Sequence, residues 1–161
     1  MTKQETYDYL TGHGIVYEIT EHPAVFNMEE LCSVDLPYPD RIAKNLFVRD
    51  DKKRNYYLIT VLGDKRVDLK VFQQAHATRK LAFASSDDLM EIMKLVQGEV
   101  TPLGLLNDRE RKVTFFLDAA FGDGLIGVHP NDNTATVWLK AADLARLIEE
   151  HGNRVCMAEI P

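Results

Sequence analysis

Leu46-Phe-Val-Arg49-Asp50-Asp-Lys-Lys-Arg-Asn55-Tyr56-Tyr-Leu-Ile-Thr-Val-Leu62 is the stretch that settles the fold class. Two runs of aromatic, β-branched and other apolar residues flank a short charged stretch, the pattern of strand, hairpin loop and strand. The charge run Asp50 to Arg54 then reads as a solvated hairpin tip rather than a binding patch. Just upstream, Arg41-Ile-Ala-Lys-Asn45 reads as helical, so Lys44 is expected where a helix meets a strand. Toward the N-terminus, Thr2 and Glu5 have the spacing of a capping box for a first helix that Gly12 and Gly14 end. Ile15 to Ile19 alternates as a strand, His22-Pro23 makes a turn, and a short helix starts at Met28 before Leu36-Pro-Tyr-Pro39 interrupts it.

Downstream, Asp68 opens a helix that runs to about His76, and Leu81 to Ala84 is a short strand. Ser86 is the expected N-cap of a helix over Asp87 to Leu95. Thr114 to Asp118 is a strand, and Leu125–His129 with Thr134–Leu139 forms a hairpin around Pro-Asn-Asp-Asn. Lys140 to Glu150 is a last helix that Gly152 ends. The chain shows no repeats, low-complexity tracts or linkers. The expected fold is α/β (α+β): a single domain over residues 1–161, with one curved, mixed, mostly antiparallel sheet and flanking helices.

A chain of 161 residues with 45% hydrophobic and 27% charged residues has the balance of a soluble globular domain. Its net charge of -6 argues against a broad basic surface for duplex DNA, while leaving room for a small pocket that reads a phosphate. Cys32 and Cys156 lie far apart in no metal-type spacing, which favours reduced thiols and a cytoplasmic address. The N-terminus is polar and acidic, unlike a signal peptide, and no apolar run approaches a membrane span.

Few residues present themselves for chemistry. Gly98-Glu-Val-Thr-Pro102-Leu-Gly104 places glycine, proline and glycine between a helical and a strand pattern. Glycine admits a ligand close to its N–H, and proline stiffens the turn, which suits a carbonyl- or anion-binding loop as well as a plain turn. Lys44, among Ile42, Ala43, Leu46 and Phe47, is either a snorkelling side chain or a cation held in a cleft, with Asn45 beside it. His129, held extended by Pro130, could orient a substrate, act as acid or base, or simply bond the loop Asn131-Asp-Asn133. The histidines at 13, 22, 76 and 151 lack ligand spacing, and there is no nucleophile elbow, P-loop or dinucleotide fingerprint.

Lys44-Asn-Leu-Phe, Val67-Asp-Leu-Lys, Leu81-Ala-Phe-Ala-Ser, Gly98-x-x-x-Pro102 and Val128-His-Pro-Asn131 occur together and in order. In this the chain resembles the YbaK and prolyl-tRNA synthetase-associated editing domains, most of all the free-standing PrdX or ProXp-ala branch. The likeness runs from about His22 to the last helix, giving an editing domain over 22–148. It implies a mixed α/β fold and trans-hydrolysis of a mischarged aminoacyl-tRNA, Ala-tRNA for proline above all. Another mischarged ester (Cys- or Ser-) and a non-catalytic tRNA- or synthetase-binding module are the alternatives. Lys44 is implied to contact the phosphate of the terminal adenosine, and the backbone around Gly98 and Pro102 to face the aminoacyl carbonyl. His129 would lie near the amino-acid end, with Asn45 and Thr101 as further substrate contacts. Glu99, Thr101 and Leu103 depart from the Ser, Ser and Phe common in the family. The resemblance implies no metal and no cofactor. The partners implied are the 3′ end and acceptor stem of tRNA, with prolyl-tRNA synthetase or an elongation factor as transient ones.

Overall fold

The hairpin read from Leu46 to Leu62 is formed, and in the computed structural model, which describes residues 1–161, it lies at the centre of the larger of two sheets. In chain order the elements are α1 (Lys3–Gly12), β1 (Tyr17–Glu21), α2 (Met28–Cys32), β2 (Ala43–Asp50), β3 (Tyr56–Leu62), α3 (Leu69–His76), β4 (Leu81–Phe83) and α4 (Ser86–Met93). Then follow a 3-10 helix (Pro102–Asn107), β5 (Val113–Asp118), β6 (Leu125–Val128), β7 (Ala135–Lys140), α5 (Ala141–His151) and β8 (Val155–Ala158). The five-stranded sheet has the order β4-β2-β3-β5-β8 and the three-stranded sheet β1-β7-β6. Four strand pairs are antiparallel, whereas β5 runs parallel to both β3 and β8. The fold is therefore α+β, with mixed and mostly antiparallel sheets flanked by helices. The strands are divided between two sheets, which meet at the bridge between Ile42 and Gly127.

Local chemistry explains most boundaries. Thr2 and Glu5 close a capping box on α1, and Asp68 caps α3 by accepting from the amides of Lys70 and Val71. The α4 cap is Ser85 rather than Ser86, because the Ser85 hydroxyl meets the Asp88 amide and the Asp88 carboxylate returns to Ser85 N–H. Lys44 lies within β2, not at a helix junction: the residues before it form only a short 3-10 turn, Pro39–Arg41. Pro39 sets φ for that turn and cannot extend a hydrogen-bonded helix backwards. Cys32 and Cys156 are both free thiols.

The main core lies between the sheets and α4, α5 and the 3-10 helix, around Phe115, Leu103, Leu105, Ile126 and Leu144. A smaller cluster packs Phe72 of α3 against Val48, Ile59 and Phe116 on the other face of the five-stranded sheet. A third gathers Val25, Leu31, Leu36 and Ile42 around Trp138. Trp138 stands directly opposite Gly127 in the β6–β7 ladder, 1% exposed, with its indole N–H donating to Thr20. A Cβ on Gly127 would lie 2.4 Å from that ring, so only glycine leaves the tryptophan its place. Gly127→Ala should cost about 1–3 kcal/mol through overpacking. Urea unfolding followed by Trp fluorescence measures the cost, and an unchanged midpoint would refute this account of the contact.

Candidate active site

Between the two sheets lies a cavity of about 330 Å³. Its lining comes from the α2 segment, β2, the residues joining β4 to α4, the loop at Gly98, and β6 with the following His129. Met28, Leu31, Ala43, Phe47, Leu89 and Val128 give it an apolar wall, and Lys44 and His129 are its only charged or titratable side chains. No carboxylate lines it.

Asn45 shares the alternating face of β2 with Ala43 and Phe47. Its Oδ1 accepts from the Thr60 hydroxyl at 2.7 Å, and its amide donates to the Val100 carbonyl at 3.2 Å. The Lys44 ammonium donates to the Lys65 carbonyl at 2.8 Å, leaving two of its protons for a ligand.

Gly98 has φ +90°, and a Cβ there would lie 2.7 Å from the Phe26 carbonyl oxygen. Both the turn and the close approach require glycine. The amides of Gly98 and Val100, two residues that line the cavity, have no acceptor within the protein. Exposed donors of this kind suit an oxygen that gains charge. Thr101 is fully buried, its hydroxyl donating to the His129 carbonyl at 2.6 Å and accepting from Leu103 N–H. Pro102 is buried as the first residue of the 3-10 helix. Neither lines the cavity, so both support the loop from beneath instead of facing the space where a ligand fits. At the loop's outer side, burial and then nearby Asp132 push the Glu99 carboxyl up.

His129 follows β6. Its Nδ1 pairs with the Ala135 carbonyl at 3.0 Å, which fixes the proton on Nδ1 and leaves Nε2 as an acceptor without a protein partner. Burial pulls the His129 ring below the usual imidazole range, against the opposing pull of the Ala135 bond, so the neutral ring prevails. His22 packs edge-on against it with ring centroids 6.1 Å apart. The His22 Nε2 is 2.9 Å from the hydroxyl of Thr136, which lines the cavity. Sequence reasoning passed over His22 because it looked only for metal spacing. The signal available was a second His-Pro pair, His22-Pro23, matching His129-Pro130.

The structure thus brings Lys44, Asn45, Gly98 and His129 to one cavity and sets Thr101 and Pro102 behind it. The fold is that of a single α+β domain whose cavity, with its free amides, lies at the junction of two sheets. The chain belongs to the aminoacyl-tRNA editing domain family, whose model matches residues 22–147, and it is accordingly an editing hydrolase of aminoacyl-tRNA. It is 41% identical over 152 residues to the prolyl-tRNA editing protein ProX of Acetoanaerobium sticklandii, covering 94% of this chain and 93% of that protein. It is 36% identical over 156 residues to prolyl-tRNA synthetase associated domain-containing protein 1 of Mus musculus, covering 94% and 92%. Among solved structures, a candidate trans-editing enzyme for prolyl-tRNA synthetase superposes with a TM-score of 0.69 at 21% identity. That superposition covers 96% of this chain and 94% of the other, and shares the fold.

The depressed basicity of His129 has a measurable consequence. Below the ordinary value of 6.5 the unfolded chain takes up a proton that the buried ring refuses. Stability therefore declines as pH falls through that value and gains nothing from this group above it. In urea unfolding at pH 7.5, 6.5 and 5.5, the advantage of wild type over His129→Gln should shrink as pH falls. A constant difference would show that burial does not desolvate this ring.

Proposed function

We propose that this protein is a trans-editing deacylase that hydrolyses the ester of mischarged tRNA, with alanyl-tRNA specific for proline as its preferred substrate. The observation that carries the reading is the meeting of Lys44, a neutral His129 and the unpartnered amides of Gly98 and Val100 in one cavity free of carboxylates. The names of the relatives from Acetoanaerobium sticklandii and Mus musculus support a link to proline-specific tRNA. A cavity of about 330 Å³ is at the small end of ordinary ligand sites, large enough for more than an alanyl group. The ester and part of the terminal nucleoside fill it.

Lys44 anchors the phosphate of the terminal adenosine and holds the ester in place, without acting as nucleophile. Water attacks the ester carbonyl, and its oxygen accepts from the amides at Gly98 and Val100 as the tetrahedral intermediate forms. The neutral Nε2 of His129 accepts a hydrogen bond from the aminoacyl end. The neighbouring 2′-hydroxyl of the substrate relays a proton from the attacking water to the departing ribose oxygen as the acyl C–O bond breaks, releasing the free amino acid and the tRNA 3′ end, since the cavity offers no carboxylate for it. Asn45 sets the loop height through the Val100 carbonyl, and Thr101 and Pro102 keep the loop rigid. Alanine is smaller than proline, so cognate proline is excluded by size, as in a second sieve. The catalytic unit spans residues 22–148 of a single domain, 1–161, acting in the cytoplasm on the tRNA 3′ end. Prolyl-tRNA synthetase or an elongation factor would meet it transiently. No helix is long and apolar enough to cross a membrane.

Lys44→Ala should fold normally and lose at least about a hundredfold in deacylation, as expected when a positioning contact is removed. Unchanged turnover of Ala-tRNA would remove Lys44 from the site. The same assay with Ala-, Cys- and Ser-charged tRNA fixes the substrate: faster hydrolysis of a cysteinyl or seryl ester would overturn the alanine preference. Hydrolysis of none would leave a tRNA-end binding module. Gly98→Ala should lower kcat while Lys44 stays in place, because the loop amides are displaced by the clash with Phe26; retained kcat would exclude them as carbonyl donors.

A further inference from the structure

The Lys44 ammonium is held by a main-chain oxygen, and what holds that oxygen is a salt bridge outside the cavity. Lys44 donates to the Lys65 carbonyl at 2.8 Å, and the Lys65 ammonium meets the Asp118 carboxylate at 2.5 Å. Asp118 ends β5 with its side chain 1% exposed, while its other oxygen accepts from the Ala120 amide at 3.1 Å. The Lys65 side chain is 30% exposed and does not line the cavity.

The stretch from Gly63 to Asp68, which joins β3 to α3, has few main-chain hydrogen bonds to fix it between Lys65 and the Asp68 cap of α3. Its main chain donates only from Gly63 to Ile42 and from Lys65 to Leu62. Those two bonds fix the start of the turn, whereas the Lys65 carbonyl points out of it toward Lys44. The side chain of Lys65 is the one hydrogen-bonded tie from this turn to β5, beside the apolar packing of Val67 against the cluster around Phe116. A carboxylate that is buried and doubly hydrogen-bonded makes a rigid anchor, since moving it would leave a charge unpaired away from water.

We propose that Asp118, acting through Lys65, is a positioning residue for Lys44. It fixes the carbonyl on which the ammonium rests, so that the remaining two protons point at the substrate phosphate. The inference rests on the proposed contact between Lys44 and the terminal phosphate. Without the anchor, the Lys65 carbonyl becomes mobile and the Lys44 stem, with its many rotamers, is no longer pre-arranged.

The test uses two stable probes, 3′-alanylamido-3′-deoxyadenosine with and without a 5′-phosphate, and the variant Asp118→Asn, which keeps an acceptor for the Ala120 amide. Wild type should bind the phosphorylated probe about tenfold more tightly, the size expected for one charge-assisted hydrogen bond. Asp118→Asn should reduce that preference to about twofold or less and leave affinity for the unphosphorylated probe unchanged. A preference retained in the variant overturns the inference. Equal weakening of both probes also overturns it, because that is what a purely structural role produces. Should Asp118→Asn fail to fold, Lys65→Gln breaks the same tie from its more exposed end and is judged by the same two affinities. A wild type with no phosphate preference overturns the role of Lys44 itself, and this inference with it.

Discussion

Two hydrogen bonds from one loop to two sheets create the cavity on which everything else depends. Asn45, on β2 of the five-stranded sheet, holds the Val100 carbonyl, and Thr101 holds the carbonyl of His129 at the end of β6 in the three-stranded sheet. The loop from Gly98 to Thr101 is thereby fixed to both walls of the space between them. The main chains of the two sheets are bridged at Ile42 and Gly127, and Gly127 lines the cavity. Each net hydrogen bond contributes only about 1 kcal/mol to stability. Their importance is geometric: remove either, and the amides of Gly98 and Val100 lose their fixed relation to Lys44 or to His129.

Close approach does the rest. Gly98 lies against the Phe26 main chain and Gly127 under the Trp138 ring, both at separations that a side chain would not permit. These two glycines let the segment before α2 and the β6–β7 hairpin close on the cavity from opposite sides. The apolar wall from Met28 to Leu89 then follows from ordinary burial, since those residues lie on the inward faces of α2, β2 and α4.

Much of this was legible in the sequence, for reasons that differ between elements. The hairpin from β2 to β3, the cap at Thr2 and the start of α3 at Asp68 were readable because local chemistry alone determines them. Lys44 was misplaced at a helix junction, since Ile42-Ala-Lys has no propensity strong enough to reveal the strand pairing with Val61 that decides it. Strand β8 went unread because its only partner is β5, a parallel neighbour forty residues earlier in the chain, and four residues carry too little pattern. The division into two sheets depends on a bridge between residues 42 and 127, which no local window contains. Lys44, Asn45, Gly98 and His129, each singled out in the sequence, all line one cavity. The sequence gives no sign that Thr101 faces away from the cavity, because orientation is set by its bond to a carbonyl 28 positions on.

An acidic protein with one cationic side chain in its cavity has a particular relation to a polyanion. With a net charge of -6, the surface offers a tRNA little general attraction, and the proposed function then concentrates phosphate affinity where Lys44 stands. On the proposed reading this suits a proofreader acting in trans. A broadly basic surface would hold every tRNA in the cell, correctly charged ones in great excess, and the enzyme would be occupied by molecules it must not cleave. With a single phosphate contact, residence depends on whether the ester end fits between the apolar wall and the Gly98 loop. Discrimination then falls on the two methylene groups by which proline exceeds alanine, and weak overall affinity is what allows that difference to decide the outcome.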